Sequence, residues 1–209
     1  HALKTPIISG NVSLYNETLN KNVTSTPSTG WVGLRPSLDK IPSETFVKEG
    51  SDLWCVSLRQ LESNGYWAEK AGEPLEYQGR IDSSKTAQFV QNLISLGRHT
   101  EVLAAKRVGK FGMPYALARM SLGGIGAEIT NTSLAGVFRE RLYEVIIEVS
   151  AGSDILTTWL ESLKLEGLQV EKLGKTQKDR LQIRDWNWKI SDLGNAYRSG
   201  WKGAFEELA

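Results

Sequence analysis

Oxygen-bearing side chains crowd a short stretch near the start of the chain, where Asn11, Ser13, Asn16 and Glu17 follow Gly10. Glycine takes backbone angles closed to other residues and lets a ligand approach the main chain closely. Carboxamide, hydroxyl and carboxylate oxygens in one turn are donors suited to a phosphate–Mg2+ unit, because Mg2+ favours oxygen ligands and sits beside nucleotide phosphates. The rest of the chain offers less. His1 and His99 are the only histidines, which argues against zinc catalysis. His99 stands in the polar run Gly97–Thr100 and reads as a surface residue, not a base. Cys55, the only cysteine, lies in the apolar run Leu53–Val56, so it reads as a buried thiol, and no internal disulfide can form. Lys106, Arg107 and Lys110 read either as a phosphate grip or as a solvated basic turn.

These candidates need elements to position them. Pro6–Ser9 and Trp31–Leu34 are strand candidates joined by a polar loop, and two strands alone do not make a stable unit. Residues 1–36 therefore read as the end of a domain, 37–51 as a linker, and 52–209 as a second domain. In that domain, strands are expected at Asp52–Leu58, Glu101–Lys106, Gly126–Ile129 and Tyr143–Val149. Gln169–Gly174 and Arg180–Arg184 read as a hairpin or as paired strands. Leu61–Ala71 is weakly helical and Gly72–Gly79 turn-rich. A helix capped by Asp82 or Ser83 carries an apolar stripe through Ala87, Val90, Leu93 and Ile94 and stops at Gly97. Further helices are expected at Tyr115–Met120, Ser153–Glu166 and Ile190–Leu208. Gly123, Gly124 and Gly126 follow a helix instead of preceding one, so they mark a helix stop and not a phosphate loop. Trp186 and Trp188 read as plain core packing, with the alternative that one is core and the other faces a partner. Helices and strands alternate without a regular βαβ beat, which favours a layered mixed α/β (α+β) sheet with flanking helices over a doubly wound fold.

Composition narrows the function classes. The 209 residues are 40% hydrophobic and 23% charged, with 25 basic against 24 acidic residues, so there is no broad basic surface for nucleic acid. Apolar runs are only a few residues long, too short to span a membrane, and no leader is evident. A cytoplasmic protein is expected, in which the glycosylation sequons at Asn11, Asn16, Asn22 and Asn131 carry no meaning. Unpaired strand edges in the first segment leave room for pairing with a second copy.

The run Thr5-Pro6-Ile7-Ile8-Ser9-Gly10-Asn11-Val12-Ser13-Leu14-Tyr15-Asn16-Glu17 closely resembles a segment of the phosphoribosylformylglycinamidine synthase family. The followers Ser25-Thr26-Pro27 and Gly30-Trp31-Val32-Gly33 resemble that family's next steps. Gly112–Met120, Gly124–Ile129, Val137–Glu140 and the chain end from Gly174 extend the likeness with falling specificity. The resemblance implies the C-terminal portion of the synthetase subunit, with a last domain like that of the aminoimidazole ribonucleotide synthetase superfamily. It implies an ATP-dependent amidoligase of purine synthesis, with ATP contacted by the Gly10 backbone, Mg2+ held by Asn11 and the ribonucleotide substrate contacted by Ser13. It also implies as partners the N-terminal synthetase half, a glutaminase subunit and a small accessory subunit. No catalytic residue is carried over, since the family's catalytic histidines lie in the N-terminal half. One loop departs from the pattern: Lys106–Gly112 stands where the family has His-Asp-x-Ser-(Asp/Glu)-Gly-Gly. That departure motivates an alternative, a non-catalytic binding or scaffolding module on the same fold.

Overall fold

The computed structural model describes residues 2–12, 17–23, 26–132 and 136–206, with the backbone alone for Ile155, Leu165 and 201–206. The chain divides into two compact units, residues 1–39 and 40–209.

The described part of the first unit holds one regular element, a hairpin of β1 (Glu17–Thr18) and β2 (Lys21–Asn22). Its two turn residues, Leu19 and Asn20, both have positive φ, 54° and 60°. That is the two-residue hairpin geometry whose twist matches the flanking strands. Neither Pro6–Ser9 nor Trp31–Leu34 forms a strand. Both segments lack a neighbouring strand among the described residues, and an isolated strand has nowhere to place its backbone hydrogen bonds except water.

The second unit is built on one mixed sheet. In chain order its elements are β3 (Asp52–Ser63), α1 (Gly65–Ala71), β4 (Tyr77–Gly79), α2 (Ser83–Leu96), β5 (Val102–Arg107), α3 (Gly112–Ser121), β6 (Ile125–Ile129) and β7 (Glu140–Val149). There follow α4 (Asp154–Ser162) with a 3-10 turn (Leu163–Glu166), β8 (Gln169–Lys178), β9 (Arg180–Ile183), β10 (Trp186–Lys189) and α5 (Ile190–Glu206). The strand order is β10-β9-β6-β8-β3-β7-β5, with β4 on the far end of β3. Every pairing is antiparallel except β6 with β9.

β3 lies near the middle and is buried on both faces. Leu53 and Cys55 point into one core with Ile146, Leu173 and the α3 residues Met113, Leu117 and Met120. Trp54 and Val56 point into the other with Ile147, Val149, Phe89 of α2 and Leu156 and Leu160 of α4. Successive strand side chains alternate faces, so a run of four apolar residues fills both cores at once. Helices thus cover both faces in a three-layer arrangement. α2 starts where its cap dictates, since Asp82 Oδ1 accepts from the amides of Ser84 and Lys85 at 2.9 and 3.0 Å.

Several sequence expectations need adjustment. The segment 43–51 is not free of the second unit. Phe46 is buried, Ser43 bridges to Ala104 beside β5, and the amides of Val47 and Lys48 donate to the Glu148 carboxylate at 2.8 and 2.9 Å. Leu61–Ser63 continues β3 because β4 and β7 both pair with it there, and the helix begins only at Gly65. β8 and β9 are not paired with each other: β6 lies between them. The chain steps across the start of β6 through Asp179, whose φ is 61°. The core reading of Trp186 and Trp188 holds and the split between core and outward does not: both are half-buried against the α3-side core, with ring centroids 6.1 Å apart. Residues two apart on a strand share a face, so both rings point the same way.

Two substitutions test this frame. A Cβ on Gly126 would stand 1.8 Å from the Arg180 carbonyl oxygen, so Gly126→Ala forces β9 away from β6. A loss of about 1–3 kcal/mol, the usual cost of overpacking, is expected in urea unfolding. Glu148 is fully buried, and Glu148→Ala strips two amides of their acceptor. A loss of about 2 kcal/mol is expected, since hydrogen bonds to charged groups are worth roughly 1.5–3 kcal/mol.

Candidate functional site

Gly10 and Asn11 are exposed and lie in irregular backbone of the first unit. Nothing stands within 4 Å of where a Cβ on Gly10 would be. Ser13, and with it Tyr15 and Asn16, lies outside the described residues; Glu17 is exposed in β1. Gly10 and Asn11 are thus together as sequence neighbours, and no cluster of three or more His, Cys, Asp or Glu side chains suited to a metal occurs among the described residues. Large apolar residues of the same unit are open to solvent. Ile7 is 94% exposed, Ile8 79% and Val12 81%, and Trp31, Val32 and Leu34 are also exposed.

The basic loop of the second unit resolves differently. Lys106 Nζ lies 3.1 Å from Glu44 and Arg107 3.4 Å from Glu140, and Lys110 pairs with Glu69. The hydrogen bond from Lys110 lowers the Glu69 carboxyl below its ordinary range. The start of α3 is equally committed: Gly112 N donates to Gly109 O, Met113 N to Val137 O, and Pro114 has no N–H. Three neutralised cations and a helix start without free amides do not make a phosphate grip; the loop is a surface turn held by ion pairs. The glycines after α3 do end it, with β6 beginning at Ile125. His99 sits half-exposed in a turn, its Nδ1 3.7 Å from Glu101.

One group of buried charge has no counterpart in the sequence reading. Glu144 of β7 is 1% exposed, with Arg141 Nη1 3.4 Å from one carboxylate oxygen and the other oxygen unpartnered. Arg141 also faces Glu62 at 3.4 Å. Burial pushes the Glu144 carboxyl up, and Arg141 and Arg59 oppose this. The Cys55 thiol is pushed well up by burial first, then by the Glu144 and Glu171 carboxylates, so it is inert as expected. The signal for Glu144 and Glu148 was the acidic residue at every fourth position of a strand otherwise apolar but for Arg141.

No family model matches the chain. Curated relatives do. The PurL subunit of phosphoribosylformylglycinamidine synthase from Lactobacillus delbrueckii subsp. bulgaricus is 31% identical over 185 residues, 87% of this chain and 24% of that protein. The Wolinella succinogenes subunit is 32% identical across 99% of this chain and 28% of that protein. The Sulfurimonas denitrificans subunit is 30% identical across 98% and 28%.

The chain belongs to the PurL family.

It is a C-terminal portion, spanning about a quarter of the length of the PurL relatives it matches. Thermotoga maritima PurL, solved in complex with ATP and with FGAR, shares the fold. The TM-scores are 0.56 and 0.57, at 11% and 12% identity, over 75% of this chain and 28–30% of those chains. The expected layered mixed fold is thereby established.

The raised Glu144 carboxyl makes a signed prediction for this PurL portion. A carboxyl whose folded pKa exceeds its unfolded one stabilises fully below the unfolded value, and the contribution is lost as pH rises through the folded value. In urea unfolding from pH 4 upward, the stability of the native chain minus that of Glu144→Gln should therefore fall as pH rises. A difference that rises with pH would contradict the assignment.

Proposed function

We propose that this chain is the C-terminal part of a phosphoribosylformylglycinamidine synthase, an ATP-dependent carbon–nitrogen ligase of purine synthesis. The reaction converts formylglycinamide ribonucleotide to the amidine with glutamine-derived ammonia. In this reading, residues 1–36 belong to the ATP- and substrate-binding half-domain, and the second unit is the domain that ends the subunit. The observation that carries the reading is the Gly10–Asn11 corner, which is flanked by exposed Ile7, Ile8 and Val12. A corner with suitable donors and an uncovered apolar flank is one wall of a pocket, and the relatives are about four times longer.

The roles follow the residue types. The Gly10 backbone, free of any side chain, would lie against ATP. The Asn11 carboxamide oxygen would be a neutral ligand to Mg2+. The Ser13 hydroxyl would bond the ribonucleotide. No cluster of three or more His, Cys, Asp or Glu side chains suited to a metal occurs among the described residues, so Asn11 fits as one donor of a set completed by the rest of the subunit. When bound, Mg–ATP supplies the phosphoryl group that activates the amide oxygen for attack by ammonia. The contribution of this portion is positioning and charge placement, not proton transfer.

Partners follow from the same reading. The N-terminal synthetase part is required, and a glutaminase subunit and a small accessory subunit join it. A Thermotoga maritima PurLQS structure is among the proteins with this fold, which supports an assembly of this kind. A cytoplasmic location fits purine synthesis, and no helix among the described residues is long and apolar enough to cross a membrane. One observation favours the alternative of a non-catalytic module on this fold: the loop 106–110 spends its cations on ion pairs.

The two separate in a reconstitution. The chain is mixed with the N-terminal part of a PurL subunit, ATP, Mg2+, ammonia and formylglycinamide ribonucleotide. ADP release dependent on the ribonucleotide is expected, and Asn11→Ala should lower it at least ~10-fold, since even residues behind a metal ligand cost about 10–100-fold when removed. Binding of the N-terminal part without turnover would instead favour the non-catalytic module.

A further inference from the structure

A cavity of about 340 Å3 opens on the outer side of the second unit, lined by Asn92 and Ser95 of α2, by His99 in the turn after it, and by Trp159 of α4. It lies wholly within this unit, and nothing in the synthase reading uses it. One wall is fixed by a carboxylate. Glu166, in the turn that follows α4, accepts from Gln88 Nε2 at 3.1 Å and from Asn92 Nδ2 at 3.0 Å. These two amides are four residues apart on α2 and share one face of it, so a single carboxylate ties the helix to the segment behind α4. The bond also sets the Asn92 amide: its nitrogen is engaged by Glu166 and its oxygen remains an acceptor.

The opposite side carries a second fixed group. Glu101 accepts from the Ser153 hydroxyl at 2.5 Å, and His99 Nδ1 stands 3.7 Å from the same carboxylate oxygen. His99 Nδ1 is buried and has no hydrogen-bond partner. The Ser153 hydroxyl is bound to the carboxylate and not to the imidazole, so the three do not form a nucleophile–base relay. They hold the turn that carries His99 against the start of α4.

We propose that this cavity binds a neutral, planar heterocycle of nucleobase or nucleoside size. The indole of Trp159 supplies a flat apolar wall, and the Asn92 oxygen, the Ser95 hydroxyl and the His99 imidazole supply acceptors and donors at the rim. None of the four lining groups is a lysine or arginine, so the chemistry does not favour a phosphate. The volume sits at the low end of the roughly 300–1,000 Å3 of small-molecule sites, which matches one heterocycle and excludes a dinucleotide. A mostly apolar cavity with a few convergent polar groups, held by bonds the ligand does not need, has the ordinary anatomy of such a site.

The test uses the 209-residue chain with adenosine and hypoxanthine as probes and indole as a planar control with a single ring donor. Saturation-transfer NMR followed by calorimetric titration reads binding. Saturable binding of at least one heterocycle, tighter than indole, is expected. Ser95 is exposed, so Ser95→Trp fills the mouth without disturbing either core and should weaken binding at least ~10-fold, a change of about 1.4 kcal/mol. Asn92→Ala should weaken it by a smaller factor, in line with one neutral hydrogen bond. Absence of saturable binding by both heterocycles overturns the proposal. So does unaltered binding in Ser95→Trp, or indole binding as tightly as the heterocycles.

Discussion

The account rests on where apolar surface is buried. Residues 40–209 bury theirs: β3 feeds two cores at once, and α3 and α4 close them from opposite sides. The described residues among 2–39 leave most of theirs open. Ile7, Leu19 and Leu34 are more than nine-tenths exposed, and Ile8, Val12 and Val32 about four-fifths. Each such side chain forgoes roughly 1.5–3 kcal/mol that burial would supply. A net folding free energy is only about 5–15 kcal/mol, so this shortfall is large on the scale of a whole domain. This is the physical ground for the proposal that the first unit is one part of a larger domain. The PurL relatives, of which this chain spans about a quarter, are long enough to provide one.

The second unit shows how a sheet this crowded tolerates charge. Glu148 is fully buried yet satisfied, because two backbone amides reach it and fix the 46–48 turn over the sheet. Glu144, four residues earlier on the same strand, has one oxygen unpartnered and an arginine at 3.4 Å. The first is an anchor. The second is a strained compromise that shows in its raised carboxyl. The surface pairs of Lys106, Arg107 and Lys110 matter less to stability, because water screens exposed charge. In the structure each of these three cations faces a carboxylate: Glu44, Glu140 and Glu69.

Much of the second unit was legible because its signals are local. Asp82 with Gly97 bounded α2, and the apolar run at 53–56 and the β-branched run within 143–149 marked the central strands. What the sequence hid is set by tertiary pairing. Leu61–Ser63 looks helical until β4 and β7 claim it. The insertion of β6 between β8 and β9 depends on Gly126 letting the Arg180 carbonyl approach, which no local pattern announces. The segment 43–51 reads as a linker because its polar composition does not show that Phe46 is buried and Val47 held by a carboxylate a hundred residues away. At the candidate site the residue types at Gly10 and Asn11 were legible, but their setting was not. The strands expected beside them find no strand partner among the described residues.

Amide hydrogen exchange along residues 2–39 addresses that point most directly. It is measured in the chain alone and again after mixing with the remaining three-quarters of a PurL subunit. The account predicts exchange near the unprotected rate for the amides of Ile7–Val12 and Trp31–Leu34 in the chain alone, and strong slowing of the same amides in the mixture. Equal protection in both samples would contradict it, because the first unit would then be complete without a partner.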